Sequence, residues 1–254
     1  MHWIFLRGLA REQGHWANFP EIFKEYFPTA EIECLDISGN GTQYFEKSFL
    51  SIEECVKDLQ KRSSFFQNKK TPLFLFSISM GSMLAVEWAR QFPNRFQGMV
   101  LINTSDQGTS SFYERLKPEN YPAIAHALFQ KGIYAREQKI LQLVTNLISA
   151  RDAQRMDQLT RIYGNLAEKH PLSRMNFLRQ IIAASRYQFP EKSPLPNTLL
   201  LSSTMDRLVS VNCSRKLAKK WNIQCLEHPT AGHDLPLDDA SWIMDQIQRF
   251  FLHP

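Results

Sequence analysis

One stretch, residues 74–89, limits the possible folds of this chain more than any other. An apolar, strand-like run ends in a Ser-x-Ser-x-Gly turn, and a segment with helical patterning follows without a spacer. In so tight a turn, the side chains two positions before and after the central serine would collide with neighbouring backbone, so both positions require small residues. They are Ser77 and Gly81. We expect the turn to hold the Ser79 hydroxyl beyond the sheet edge, in front of a helix N-terminus that favours negative charge.

Strand-like and helix-like segments alternate around this turn. Apolar segments typical of strands lie at 3–6, 31–36, 96–104, 196–203 and 223–227, a turn is predicted at 69–72, and helical patterns lie at 15–26, 51–65, 211–221 and 240–251. Such alternation predicts a parallel sheet wrapped by helices. Right-handed crossovers then bring the C-terminal ends of the strands to one edge, where sheets of this kind bind ligands.

The alternation stops between residues 105 and 190. Four segments there have helical apolar spacing, at 121–131, 135–148, 151–166 and 172–187. The formal net charge of +5 also arises in this region, because residues 104–190 contain 12 Lys and Arg against 7 Asp and Glu, whereas the rest of the chain has 18 of each. The basic residues are dispersed and form no motif that reads nucleic acid. They indicate either a solvated helical surface or a surface that attracts anionic substrates.

Composition and cysteine spacing exclude several classes of protein. A chain of 254 residues, 43% apolar and 22% charged, is typical of a globular protein with one large α/β domain or two small ones. No apolar run approaches the roughly 18 residues of a membrane span, and the N-terminal segment has strand character, unlike a signal peptide. The four cysteines are scattered without metal-binding spacing. We therefore expect reduced thiols in a cytoplasmic protein.

The turn at Ser79 resembles the Gly-x-Ser-x-Gly motif of the α/β-hydrolase superfamily, which follows a strand and precedes a helix. The chain departs from that motif at Ser77, although serine is the next smallest side chain that the turn tolerates. By this resemblance Ser79 is the nucleophile. The resemblance also implies a hydrolase core, residues 1–104 and 191–254, and a helical cap, residues 105–190, over the nucleophile. The alternative is that the inserted helices form a second folded unit without a role in recognition.

The superfamily places a catalytic acid in the loop after a late strand and a histidine after the last strand. Asp206 follows the strand-like segment 196–203, and His233 comes after Gly232, beyond the last strand-like segment, 223–227. The chain order Ser79, Asp206, His233 is that of the superfamily. In such a triad the aspartate orients the histidine, and the histidine takes the proton of the attacking serine.

Other residues near these positions are alternatives. Asp106 follows the strand-like segment 96–104. Some members of the superfamily carry the catalytic acid at this position. His228 also follows the last strand, but it lacks the preceding glycine. Asp234, directly after the predicted histidine, is expected to cap the last helix together with Asp238 and Asp239.

The first strand-like segment runs into Arg7, Gly8 and Leu9, where α/β hydrolases usually have His-Gly at the strand end. By the resemblance, the backbone N–H groups of Leu9 and Met80 form the oxyanion hole. Arg7 does not remove this hole, because backbone amides tolerate almost any side chain. Arg7 and Gly8 are expected to border the substrate. Alternatively, Arg7 is a structural residue that binds loop carbonyls.

Together these features predict an α/β fold with a mostly parallel sheet of about six strands, since the chain begins at what is usually the third strand of the superfamily. They resemble the small bacterial esterases, thioesterases and peptidases of the superfamily. That resemblance implies a carboxylesterase-like serine hydrolase that cleaves a small-molecule ester or thioester through an acyl-serine intermediate, without metal or cofactor. Two alternatives stay open: a carbon–carbon hydrolase or lyase on the same triad, and a binding protein that kept the fold. The substrate and the oligomeric state are left open.

Overall fold

Six strands form the centre of the molecule in the computed structural model, which describes residues 1–68 and 71–252. They are β1 (His2–Leu6), β2 (Glu31–Leu35), β3 (Leu73–Ile78), β4 (Phe96–Ile102), β5 (Thr198–Ser203) and β6 (Cys225–His228). Every neighbouring pair is parallel, and the spatial order is β2-β1-β3-β4-β5-β6. The predicted parallel sheet of about six strands is confirmed.

Helices fill most connections between the strands. In chain order they are α1 (Phe19–Tyr26), α2 (Ile52–Arg62), α3 (Ser64–Gln67), α4 (Met80–Gln91), α5 (Phe112–Arg115), α6 (Tyr121–Phe129), α7 (Ile133–Val144), α8 (Leu147–Arg151), α9 (Ala153–Lys169), α10 (Arg174–Arg186), α11 (Val211–Trp221), α12 (Leu235–Asp238) and α13 (Ala240–Leu252). A short 3-10 helix, Gln13–Trp16, precedes α1. The predicted turn at 69–72 includes residues 69 and 70, which lie outside the described residues.

Helices with an apolar side cover both faces of the sheet. On one face lie α2, α4 and α11, with Val56, Val86 and Leu217 fully buried. On the other face lie α1 and α13, with Phe23 and Ile243 fully buried. Successive side chains of a strand point to opposite faces, so strands covered on both sides must be apolar throughout. The central strands β3 and β4 are accordingly mostly apolar, whereas the edge strands β2 and β6 contain Glu31, Glu33 and Glu227.

Residues 105–190 form six helices, α5 to α10, where the sequence predicted four. Two of them, α7 and α8, replace a single predicted helix. The Asp238 carboxylate accepts hydrogen bonds from the backbone N–H groups of Asn146, Leu147 and Ile148 at 2.8, 3.0 and 3.2 Å. The break between the two helices is therefore stabilised by a side chain from the other end of the chain. The division into core and cap stays a prediction.

The cysteines and the helices can be compared with the expectations from composition. All four cysteines are free thiols. Burial raises the pKa of Cys55 to about 12 and that of Cys213 to about 11, so neither thiol is a nucleophile near neutral pH. In residues 1–68 and 71–252, no helix combines the length and the apolar composition that crossing a membrane requires.

Candidate active site

Ser79 occupies the turn between β3 and α4. Its φ of 57° and ψ of −124° are rare for residues other than glycine, and such strain persists only where the surroundings enforce it. The Ser79 N–H donates to the Ile102 carbonyl at 2.8 Å, and the Ser79 carbonyl accepts from the Ser82 N–H at 2.9 Å and from Thr104 Oγ1 at 3.2 Å. The end of β4 thus holds the predicted nucleophile in its strained conformation.

Two glycines allow the end of β1 to approach this turn. A Cβ atom at Gly81 would lie 2.2 Å from the Leu6 carbonyl oxygen, far inside the contact distance of about 3.5 Å between non-bonded heavy atoms. A Cβ atom at Gly8 would lie 3.0 Å from Ser79 Cβ and 3.5 Å from Ser79 Oγ. Packing therefore requires glycine at 81, and Gly8 directly borders the Ser79 hydroxyl.

The departure from the superfamily motif at Ser77 has a structural explanation. Ser77 is fully buried in β3, between Leu6 of β1 and Leu101 of β4. Its hydroxyl donates to the Val100 carbonyl at 2.9 Å and lies 3.3 Å from the Ser82 hydroxyl. The small hydroxyl is accommodated by a hydrogen bond to the neighbouring strand, so the turn keeps its shape without glycine at this position.

The structure pairs His233 with Asp206. Atom Nδ1 of His233 lies 2.7 Å from Oδ2 of Asp206, and the two side chains are 10% and 2% exposed. The other carboxylate oxygen, Oδ1, accepts from the backbone N–H groups of Leu208 at 2.7 Å and Val209 at 3.0 Å. Both oxygens are therefore held in place. With a carboxylate as its partner, Nδ1 carries a proton, which leaves Nε2 as the proton acceptor of a neutral imidazole.

Charges around His233 set its proton affinity. Burial lowers the pKa of His233, but the carboxylate of Asp206, through its charge and its hydrogen bond, and the charge of Asp234 raise the pKa by more. The Arg7 guanidinium acts in the opposite direction and lowers it. The net result is a pKa above the ordinary value for histidine, which favours the imidazolium that forms when a base accepts a proton.

Neighbouring residues hold the Ser79 and His233 loops side by side. Asn103 Nδ2 donates to the His233 carbonyl at 2.7 Å, and the next residue, Thr104, binds the Ser79 carbonyl. Among the described residues, no hydrogen bond joins Ser79 Oγ to His233. Catalytic hydrogen bonds are often long or poorly aligned before substrate binds. The structure thus forms the histidine–aspartate bond but not the serine–histidine bond.

The alternative acid and base have other partners. Asp106 is fully buried, and its carboxylate accepts from the Phe189 N–H at 2.9 Å, so it ties together the two ends of the helical block 105–190. His228 has both ring nitrogens occupied: Nε2 lies 3.1 Å from the Asp239 carboxylate, and Nδ1 accepts from the Ala231 N–H at 2.9 Å. Both residues therefore have structural contacts with residues other than Ser79.

The expectation that Asp234 caps the last helix is wrong. Its side chain makes no capping hydrogen bond to the helix α12 that it precedes. Instead it binds Arg7 with both oxygens, at 3.1 Å from Nη1 to Oδ1 and 2.5 Å from Nη2 to Oδ2. Asp238 binds the start of α8, and Asp239 caps α13 through the Trp242 N–H at 3.0 Å. The Asp234 carboxylate is thus used in a buried charge pair with Arg7 and does not cap a helix.

Arg7 is enclosed by protein. Its side chain is 4% exposed, and its guanidinium carbon lies 4.6 Å from the centre of the Trp16 ring. It binds a carboxylate, Asp234, and none of the hydrogen bonds of its guanidinium in the described residues goes to a loop carbonyl. The predicted contact of Arg7 with a substrate stays a prediction. Sequence reasoning missed the pair because its members are 227 positions apart.

The two predicted oxyanion-hole donors are neighbours in sequence of residues at the Ser79 turn: Met80 follows Ser79, and Leu9 follows Gly8. Met80 is the first residue of α4, so its N–H has no partner four residues earlier in the helix. Leu9 follows Gly8 in the turn after β1. In residues 1–68 and 71–252, neither N–H donates to an acceptor, whereas the next one, Ala10 N–H, donates to Gln180 Oε1 of α10 at 3.0 Å. Two free N–H groups near Ser79 are what an oxyanion requires.

The sequence matches the family model described as "Serine aminopeptidase, S33" over residues 28–239. The chain belongs to this family of α/β hydrolases. The match spans the turn at Ser79, the inserted helices and the loops with Asp206 and His233. No curated protein matches the sequence significantly.

Solved structures share the fold over almost the whole chain. A membrane phospholipase A, described as a bacterial virulence factor, has a TM-score of 0.76 at 15% identity. The match covers 98% of this chain and 77% of the phospholipase chain. The enol-lactonase from Burkholderia xenovorans LB400 has a TM-score of 0.73 at 16% identity, covering 99% and 91%. A thermophilic esterase from Thermogutta terrifontis has a TM-score of 0.71 at 15% identity, covering 99% and 89%. The similarity to these solved structures shows a common fold. The match to the family model is the finding that identifies the chain as a hydrolase.

Proposed function

We propose that this α/β hydrolase cleaves a carboxylic ester or thioester of a small molecule through an acyl-Ser79 intermediate, without metal or cofactor. The observation that carries the proposal is the buried 2.7 Å hydrogen bond between His233 and Asp206, in the loop beside the strained turn of Ser79. A buried acid that fixes an imidazole next to a serine on a tight turn is the arrangement that activates a serine nucleophile.

The proposed reaction has two halves. Ser79 Oγ attacks the substrate carbonyl carbon while His233 Nε2 takes the hydroxyl proton, and the Asp206 carboxylate stabilises the imidazolium. The N–H groups of Leu9 and Met80 bind the resulting oxyanion. The intermediate collapses as His233 gives its proton to the leaving alcohol or thiol, which departs and leaves the acyl group on Ser79. Water then repeats the sequence, with His233 as base, and releases the acid.

The helical block 105–190 supports a role as a cap over this site. Gln180 of α10 binds the Ala10 N–H, one residue after the predicted oxyanion donor Leu9. Helix α10 of the block thus contacts the segment that carries Leu9, which supports the proposed role as a cap. The block contains more Lys and Arg than Asp and Glu, which is consistent with an acidic or neutral substrate. The three solved structures, an esterase, an enol-lactonase and a phospholipase, favour ester bonds, whereas the description of the family as serine aminopeptidases favours amides. A cytoplasmic location stays part of the proposal.

A substrate panel tests the proposal. It contains p-nitrophenyl esters of increasing acyl length, an acyl thioester, an aminoacyl p-nitroanilide and a 1,3-diketone, each assayed with the wild-type protein and with Ser79→Ala. We expect hydrolysis of an ester or thioester that Ser79→Ala abolishes. Cleavage of the diketone alone would support the carbon–carbon hydrolase, and cleavage of the anilide alone a peptidase. A protein that cleaves nothing and resists every acyl-type probe at Ser79 would be a binding protein instead.

A further inference from the structure

The ion pair between Arg7 and Asp234 joins two segments of the site that are distant in the chain. Arg7 directly precedes Gly8 and the predicted oxyanion donor Leu9, and Asp234 directly follows His233. The pair is bidentate, at 3.1 and 2.5 Å, and its side chains are only 4% and 5% exposed. It is thus a direct side-chain link between the turn that carries the predicted oxyanion donor and the loop that carries the predicted base.

Stability alone is a weak reason for such a pair. Removing two charges from water costs several kcal/mol for each ion, and well-packed apolar residues of similar volume are often equally stabilising. A bidentate guanidinium–carboxylate pair does, however, fix distance and orientation better than apolar contact. The face of Trp16 lies 4.6 Å from the guanidinium carbon and restricts the Arg7 side chain further. The pair is therefore suited to fixing the distance and orientation between the backbone segments of Arg7 and Asp234.

We infer that Arg7 and Asp234 are positioning residues, which hold the His233 loop against the oxyanion turn and balance the charge beside the imidazole. This inference rests on the proposed roles of Ser79 and His233. In the described residues, no hydrogen bond joins the side chain of Arg7 or Asp234 to that of Ser79 or His233. Each acts through the residue next to it: Arg7 through Gly8 and Leu9, and Asp234 through His233.

The electrostatic part of the inference has a signature that a purely structural pair lacks. The charged groups that act on His233 are Asp206 and Asp234, which raise its pKa, and Arg7, which lowers it. A base works in its neutral form, so kcat/KM rises as His233 loses its proton. Removing the charge of Asp234 should move this rise to lower pH, and removing that of Arg7 should move it to higher pH. Removing both should largely restore the midpoint.

The experiment compares Asp234→Asn, Arg7→Met, their combination and Arg7→Lys with the wild-type protein. The readouts are the rate of Ser79 labelling by a fluorophosphonate as a function of pH, and kcat and KM on the best p-nitrophenyl ester. Misplacement of catalytic groups by about 1 Å lowers rates by about 100-fold, so we expect kcat to fall by about 10- to 100-fold with KM nearly unchanged. Arg7→Lys keeps the charge but loses the bidentate geometry. It should lower kcat without moving the pH midpoint.

Glu137→Gln is the matched control, because Glu137 forms another buried pair, with Arg11 at 2.7 Å. Its loss should lower stability in urea while kcat and the pH midpoint stay at wild-type values. If Asp234→Asn and Arg7→Lys behave like this control, the pair is only structural and the inference is overturned. If Arg7→Met does not fold, Asp234→Asn and Arg7→Lys still decide, because both should lower kcat but only Asp234→Asn should move the pH midpoint. A wild-type protein that is not labelled at Ser79 would instead refute the proposed function.

Discussion

Replacing Ser77 with glycine would restore the superfamily motif, and we expect it to destabilise this protein. The substitution removes a buried hydroxyl that donates to the Val100 carbonyl at 2.9 Å. A neutral hydrogen bond of this kind contributes about 0.5 to 1.5 kcal/mol. Glycine within a strand adds a further loss of about 0.5 to 1 kcal/mol, because the unfolded chain gains conformational freedom. The free energy of unfolding should therefore fall by about 1 to 2.5 kcal/mol.

Urea unfolding followed by circular dichroism measures this change. Ser77→Ala is the matched control, since it removes the same hydrogen bond but keeps the Cβ atom, and it should lose only about 0.5 to 1.5 kcal/mol. Labelling of Ser79 should persist in both variants, because Ile102 and Thr104 hold the strained turn. A Ser77→Gly protein as stable as the wild type, or more stable, would refute this explanation of the departure from the motif.

Three further predictions concern the site itself. Gly8→Ala should leave the fold intact but reduce ester hydrolysis strongly, because its Cβ would lie 3.5 Å from Ser79 Oγ; hydrolysis at the wild-type rate would mean that substrate does not pass Gly8. Asp206→Asn should lower kcat by about 10⁴-fold, as loss of the orienting acid does in other triads, and intact activity would exclude Asp206 as the acid. In the wild type, kcat/KM should rise with pH around a midpoint above about 6.5, the ordinary pKa of histidine, because Asp206 and Asp234 raise the pKa of His233; a midpoint below that value would contradict the charge arrangement.

The sequence predicted features that depend on local pattern. The central strands are mostly apolar because helices cover both faces of the sheet, so they stand out as short runs between helical segments. The turn at Ser79 could be recognised because steric crowding restricts its neighbours, and Gly81 meets that restriction against Leu6. Asp206 and His233 could be located because each lies in the loop directly after a strand.

The features that were missed depend on contacts between distant segments. The break between α7 and α8 arises where Asp238 binds three backbone N–H groups, and no helical pattern in residues 135–148 reveals it. Asp234 precedes a helix, as a capping residue would, but its carboxylate binds the buried guanidinium of Arg7, the residue directly after β1. Local pattern contains no information about which of two partners is within reach once the sheet is assembled.

The central claim is that Ser79 is a nucleophile activated by His233. Its most direct test is intact-protein mass spectrometry after reaction with a fluorophosphonate, with peptide mapping of the modified residue. We predict one adduct, on Ser79, that is absent in Ser79→Ala and strongly slowed in His233→Ala. An adduct on another residue, or equal labelling of Ser79→Ala and the wild type, would contradict the account.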